Sequence, residues 1–323
     1  ADLKSDTTTL AVSAGDLDIQ VNGKGGLEDI QNSLSLLERE FMKQVKEKSV
    51  DQNLLKKYFP QLNLHVKAGK DNPLFNFLSM NKMEYNNLLV DLSTDSRNGI
   101  RASSYIHSLS VDSLQLDTIR CEIYQDVASI KAFAQVKNAP TNKQFVFDTQ
   151  LNASITPDDT QLNLSFFDGA GKQGIDLGIG VNAVDSGFNF KLYPQHPIIA
   201  FQKFDLNADN YIFLRRDGHI EADVKLESKD GASLYFYSSP NEGALQDLTA
   251  SIYKVNLGEI LKVIPYSPNI KGIFSTDLHY IQSGDERSIA VEASVDNLLY
   301  ENSAIGNLAC SAIYLPKFFL RFH

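Results

Sequence analysis

This chain of 323 residues has no tryptophan, three methionines and only two cysteines, Cys121 and Cys310. The two cysteines lie far apart in the sequence and match no spacing that holds a metal ion. We expect two separate buried thiols, and the alternative is one long-range disulfide. Cysteine usage therefore predicts no metal centre, and it does not fix the cellular compartment.

Long apolar segments and clustered positive charge are also missing. No stretch reaches the ~18 apolar residues that a membrane-spanning helix needs, and the chain opens with polar residues rather than a secretory signal. The formal net charge of −10 argues against nucleic-acid binding, which needs clustered lysine and arginine, and against electrostatic docking on anionic lipid. The simplest interpretation of this acidity is solubility.

Signatures of catalysis and cofactor binding lack their required context. Gly169–Gly174 matches the letters G-x-G-x-x-G, but a strand pattern follows where a dinucleotide site needs a helix, so we expect a glycine-rich hairpin turn. Asp205–Asp209 resembles the start of a calcium loop, but Asn210 and Arg216 replace its glycine and its bidentate acid.

The six histidines form no zinc motif, and no G-x-S-x-G nucleophile elbow is present. A carboxylate pair that forms only in space stays an open alternative. The sequence predicts a protein that is not an enzyme and that binds no cofactor, metal or nucleic acid.

An apolar stripe at helical spacing follows Gly26 and predicts one amphipathic helix near the N-terminus. A shorter helical piece should run from Asp51 to Tyr58 and stop at Pro60. We expect the stripe to pack against a neighbouring sheet, and the alternative is docking of a partner helix. The stripe consists of Leu27, Ile30, Leu34, Leu37, Phe41 and Val45.

From Gln61 onward the apolar period changes from 3.6 to 2, and turn residues separate short alternating runs. This pattern predicts hairpins and meanders, and therefore a mainly β fold built on an extended, mostly antiparallel sheet. A short helix is expected between Leu257 and Pro268, ended by Pro265. We predict a strand and helical segment over residues 1–60 and a continuous sheet over residues 61–323.

Four segments combine strand and turn patterns in a recognisable way: Gln61–Leu74, Tyr211–Ile220, Asn256–Gly272 and Tyr300–Pro316. Together they resemble the TamB-like proteins of Bacteroidales-type bacteria, within the broader AsmA-like group. These segments are recurring strand-and-turn patterns rather than catalytic motifs, and the resemblance covers most of the chain.

This resemblance implies an internal fragment of a periplasmic protein that bridges the inner and outer membranes and is anchored in the inner membrane. Such proteins have a sheet rolled into a trough with an apolar inside, a β-taco. They are implicated in carrying phospholipid and in outer-membrane biogenesis and protein assembly. The resemblance also implies an Omp85-type assembly partner that is bound through parts outside this chain.

The apolar members of the alternating runs are the candidate lining for lipid acyl chains, which a smooth apolar wall can solvate without polar chemistry. The alternative function is a closed β-sandwich that acts as an interaction scaffold for partner proteins or glycans. An apolar face that stays open would distinguish the two. The candidate lining residues are Phe145, Phe147, Leu151, Leu162, Leu164, Phe166, Leu177, Ile179, Val181, Phe188, Phe190, Leu192, Ile220, Val224, Leu226, Val291 and Val295.

Overall fold

The computed structural model describes residues 2–3, 6–47, 51–142, 145–157, 159–301 and 303–315. The protein is 62% strand and 13% helix, which confirms the mainly β class. The chain divides into two compact units, residues 1–171 and 172–323.

Unit 1 is an antiparallel meander in which most strands pair with the strands next to them in the sequence. The exception is the short β5, which pairs with β7, while β4 pairs with β6. Because β3 pairs with β4, residues before and after position 60 share the same sheet. The strands are β1 (Asp2–Leu3), β2 (Thr7–Ala14), β3 (Leu17–Lys24), β4 (Leu62–Ala68), β5 (Met83–Glu84), β6 (Asn87–Asp95), β7 (Gly99–Val111), β8 (Leu114–Gln125), β9 (Ile130–Asn138), β10 (Phe147–Ile155) and β11 (Thr160–Asp168).

Among the described residues of unit 1, three helices accompany this sheet: α1 (Leu27–Glu47), α2 (Gln52–Lys56) and α3 (Pro73–Met80). The first two lie where the 3.6-residue period predicts helix, and strands β1–β3 precede α1. Helix α3 was not predicted. Its signal is local, since Asn72 accepts the backbone N–H of Phe75 as N-cap and Pro73 occupies the first turn.

Unit 2 is a second antiparallel meander with one described helix, α4 (Leu257–Lys262), where a short helix was predicted. Strands β14 and β15 follow one another between β13 and β16, and each pairs with both. The strands are β12 (Gln173–Val184), β13 (Gly187–Ile199), β14 (Gln202–Leu206), β15 (Tyr211–Arg215), β16 (Ile220–Ser228), β17 (Ser233–Ser238), β18 (Gln246–Asn256), β19 (Ile270–Ser283), β20 (Glu286–Tyr300) and β21 (Ser303–Tyr314).

A hydrogen-bonded group joins the β2–β3 turn to the start of α3. Asn72 is 2% exposed, and its Nδ2 donates to Asp16 Oδ1 at 2.6 Å. The backbone N–H of Asp71 donates to Asp16 Oδ2 at 3.1 Å. The Asn72 bond is the largest of several hydrogen bonds that hold the pKa of Asp16 below its ordinary value of 3.8.

The stability of unit 1 should therefore depend on the charge of Asp16. A carboxylate with a lowered pKa stabilises the folded state above pH 3.8, and this contribution is lost as the pH falls through the folded-state pKa. We expect Asp16→Asn to lower the free energy of unfolding at pH 7, with a difference from the wild type that shrinks below pH 3.8. Urea titrations from pH 7 downward measure this difference. Asp18→Asn in β3 is the matched control, and a difference that does not change with pH would contradict the assignment.

Candidate lipid-binding face

The strand register of unit 1 aligns apolar side chains into two rows that cross the sheet from β2 to β11. Directly paired residues of antiparallel strands point to the same face, so both rows lie on one face. We call these eighteen residues the central rows of unit 1. The first row is Val12, Ile19, Val66, Val90, Ser104, Cys121, Ala134, Leu151 and Leu164, and the second is Leu10, Val21, Leu64, Leu92, Ala102, Ile123, Ala132, Ala153 and Leu162.

None of these eighteen side chains is buried. Leu10, Val12, Ile123, Leu151 and Leu164 keep 37–42% of their surface exposed. These five belong to strands at both margins and in the middle of the sheet, so the exposure is not confined to one margin. The central rows therefore form an accessible apolar surface.

Beyond the central rows, on both sides along the strand axis, the ends of several strands carry buried residues. Thr94 and Gln125 are buried at one end, while Leu17, Ala68 and Phe166 are buried at the other. All five lie on the same face as the central rows by register. The exposed apolar surface is therefore bordered by buried residues on both sides.

Polar contacts from the α2 region cover the first end. Gln125 Nε2 donates to the backbone oxygen of Gln52 at 3.2 Å, and Thr94 Oγ1 donates to the oxygen of Pro60 at 2.8 Å. Gln52 itself is fully buried. These contacts fix the segment after α1 over the ends of β6 and β8.

Apolar contacts from α3 cover the second end. Leu74, Phe75 and Leu78 pack against a cluster that contains Leu17 and Ala68. The ring of Phe75 meets that of Tyr85, another member of the cluster, edge-on at 5.5 Å between centroids. The unpredicted helix is thus one border of the exposed rows.

Unit 2 carries a comparable apolar face, part of which is closed. Val224 and Leu226 are each 5% exposed in a cluster against which Ile260 of α4 packs. Leu278 and Leu308, in strands β19 and β21, keep 37% and 48% of their surface exposed. The register joins these regions in two rows: Val224, Phe236, Ala250, Leu278, Val291 and Ala312, and Leu226, Leu234, Ile252, Thr276, Ala293 and Cys310.

The structure collects the predicted lining residues on these two faces but gives them different environments. Phe147 and Phe166 are buried at the same end of β10 and β11, whereas Leu151 and Leu164, nearer the middle of these strands, remain exposed. Phe145 lies just before β10, with its ring 5.8 Å from that of Phe147. The remaining members besides Val224 and Leu226 are half-buried: Leu162, Leu177, Ile179, Val181, Phe188, Phe190, Leu192, Ile220, Val291 and Val295.

The contribution of the early strands was missed. Leu64 and Val66 of β4 and Val90 and Leu92 of β6 belong to the same central rows as Leu151. Their period-two spacing is as regular as that of the residues that were singled out. Alternation alone could have identified them.

The expectation of buried thiols is wrong, because Cys121 and Cys310 are both free and exposed. Each lies on the apolar face of its unit, as a small apolar residue should. They are exposed because the apolar rows around them are not covered.

The opposite face of each sheet is polar and carries histidine–aspartate pairs. His65 and Asp91 lie 2.6 Å apart, His196 and Asp205 lie 2.7 Å apart, and His279 meets Asp247 at 2.8 Å. Burial opposes the ionisation of Asp247, but hydrogen bonds from Asn241 and His279 outweigh it and lower its pKa. Within the described residues, no three His, Cys, Asp or Glu side chains converge on a possible metal site.

The segments that match a dinucleotide motif and a calcium loop lie in turns and strands. Strand β12 begins at Gln173, so the glycines at 169–174 are followed by a strand, as predicted. The segment that resembles a calcium loop, Asp205–Asp209, lies at the turn between β14 and β15. There Asn207 Oδ1 accepts a hydrogen bond from the backbone N–H of Lys225, and Asn210 Oδ1 accepts one from the backbone N–H of Leu192. These side-chain amides bind backbone N–H groups, so the segment is a strand-to-strand turn.

Comparisons with protein-family models, with curated proteins and with solved structures found no match to this chain. Among the helices of the described residues, none combines the length and the apolar character needed to cross a membrane.

A pair of aspartate substitutions tests whether the central rows are open. Phe166 is 1% exposed and Leu164, two residues away on the same face of β11, is 38% exposed. We expect Phe166→Asp to cost about 4 kcal/mol or more, because it buries an unpaired charge, and Leu164→Asp to cost about 1 kcal/mol. Equilibrium denaturation in urea measures both values. Equal large losses would mean that a second layer covers Leu164.

Proposed function

We propose that this chain is the lipid-binding segment of a TamB-like periplasmic bridge protein. Its sheet would form a trough along which phospholipid moves, with the acyl chains against the apolar face. The observation that carries this proposal is the exposure of the central rows of unit 1 between buried strand ends. A large exposed apolar surface bordered by covered residues is typical of a binding surface rather than of ordinary exterior.

The dimensions of the central rows suit hydrocarbon. Eight strand-to-strand steps of about 4.8 Å give the rows a length of roughly 38 Å. One leaflet of a bilayer core is about 15 Å thick, so an acyl chain is shorter than the rows. Each methylene transferred from water to such a surface gains about 0.8 kcal/mol, which is enough to hold a chain without polar contacts.

The composition of the rows favours movement over fixed binding. Ser104 is the one polar side chain among the eighteen residues, and the others are aliphatic apart from Cys121. A surface without strong hydrogen-bonding groups offers a lipid tail similar contacts at successive positions. This uniformity suits conduction along the rows, across the strands.

The closed β-sandwich scaffold is the second candidate. A sandwich needs a second layer over the apolar face, whereas the strands of unit 1 pair successively in one meander and leave Leu151 and Leu164 more than a third exposed. Partners or glycans on the polar face would leave the central rows without a cover. These features favour the open groove.

The cellular role follows from the family resemblance. We propose a periplasmic location, an inner-membrane anchor and an Omp85-type outer-membrane partner, the last two through parts outside this chain. The role in outer-membrane biogenesis and protein assembly belongs to the same proposal. The lipid-binding step is the part that this chain's own residues support.

Binding of a fluorescent fatty acid tests the proposed site directly. We expect Leu151→Asp to weaken binding by about tenfold or more, because it places a charge in the middle of the apolar rows. Fluorescence titration of the delipidated protein gives the affinity. Asn152→Asp, the next residue of β10 on the polar face, is the control and should bind normally. Equal affinity of Leu151→Asp and wild type, or no binding by the wild type, would contradict the proposal.

The native thiol of Cys121 reports on occupancy without any change to the rows. In Cys310→Ser, Cys121 is the sole thiol and lies in the same row as Leu151. We expect a maleimide to label it readily in the delipidated protein and severalfold more slowly at saturating phospholipid. Mass spectrometry measures the labelling rates. A rate that phospholipid leaves unchanged would place the lipid elsewhere.

A further inference from the structure

Helix α1 has an apolar stripe that is anchored at two points but remains exposed between them. Ile30 is 7% exposed and Gln44 is 4% exposed, whereas Leu34 and Phe41 keep 46% and 52% of their surface. At about 100° per residue, Leu34 and Phe41 lie within roughly 40° of Ile30 around the helix axis, as does Gln44. The exposed residues therefore share the helix side that holds both anchors.

The first anchor contacts the apolar face of the sheet. Ile30 lies over Gly23, where an added Cβ would approach Ile30 Cδ1 to 2.7 Å. By register, Gly23 points to the face that carries the central rows of unit 1. At the N-terminal end of α1, the apolar stripe therefore faces the apolar face of the sheet.

The second anchor joins α1 to the segment that covers the strand ends. Gln44 Oε1 accepts the N–H of Asp51 at 2.8 Å, and Gln44 Nε2 donates to the oxygen of Asp51 at 3.2 Å. Asp51 is the N-cap of α2, whose Gln52 is bonded to Gln125 of β8. Helix α1 is thus fixed near β3 at one end and near β8 at the other.

Exposed apolar side chains between two buried anchors on one helix side indicate a gap on that side. We propose that this gap holds a lipid acyl chain, with the stripe of α1 as one wall and the sheet as the other. The fourteen residue-to-residue steps from Ile30 to Gln44 cover about 21 Å, more than the roughly 15 Å of one acyl chain. Hydrocarbon is the occupant that fits, because the residues that face the gap between the anchors are Leu34, Leu37 and Phe41. This inference rests on the proposed function and assigns α1 to the lipid site.

The test compares two leucines of the same helix. Leu34 lies on the anchored side at 46% exposure, and Leu36 lies roughly 160° away around the axis at 42% exposure. We expect Leu34→Asp to weaken binding of a fluorescent fatty acid by about tenfold or more and Leu36→Asp to leave it unchanged. Both delipidated variants should melt close to the wild-type temperature, since neither side chain is packed.

Each other outcome has a distinct meaning. Normal binding by Leu34→Asp together with loss of binding by Leu151→Asp would overturn the role of α1 and leave the sheet as the lipid site. Absence of binding by the wild type would overturn the proposed function itself. A much larger fall in melting temperature for Leu34→Asp than for Leu36→Asp would show that the stripe packs on the sheet. Equal loss of binding by both variants would show a non-specific effect of charge on α1.

Discussion

The period-two alternation of side chains, kept in register over successive antiparallel strands, is the constraint on which the rest of this structure depends. A slip of one residue in any pairing would turn that strand's apolar side chains to the polar face. The register instead brings Val12 of β2 and Leu164 of β11 into the same row, although more than 150 positions separate them in the sequence. A continuous apolar face arises from many local pairings.

A bulge preserves this alternation where the sequence would break it. In β18 the register against β19 shifts between Ile252 and Val255, and Lys254 takes a left-handed φ of 52°. Without the extra residue, Val255 would point to the face opposite Ile252. With it, Val255 is directly paired with Phe274 and is 8% exposed in the core of unit 2. The strained residue thus restores an apolar side chain to the apolar face.

Much of the fold could be predicted because it is encoded locally. Strands β10 to β13 lie where the alternation predicts them, and the turn between β12 and β13 ends at Gly187. That glycine is required, since a Cβ there would lie 2.1 Å from the backbone oxygen of Leu214. Helix α3 was missed although Asn72 and Pro73 carry its start signal, because the expectation of a continuous sheet overrode the local capping pattern.

Burial was the part that the sequence could not supply. Alternation assigns Leu164 and Phe166 to the same face with equal weight, yet one is 38% exposed and the other 1%. The difference depends on what covers each position, which distant segments decide. The same limit explains Cys121, which was expected to be a buried thiol, and the stripe of α1, which was expected to pack against the sheet and buries Ile30 but not Leu34.

Stability and lipid binding make opposite demands on an apolar face. Residues that stabilise the fold must be covered by the protein, whereas residues that hold a lipid must stay accessible when it is absent. In unit 1 the two demands are separated along the strand axis, with Leu17, Ala68 and Phe166 buried at one end, Thr94 and Gln125 buried at the other, and the central rows accessible between them. The buried ends keep the sheet folded when the central rows are empty. A lipid site of this kind therefore requires strands long enough to carry covered residues beyond the open ones.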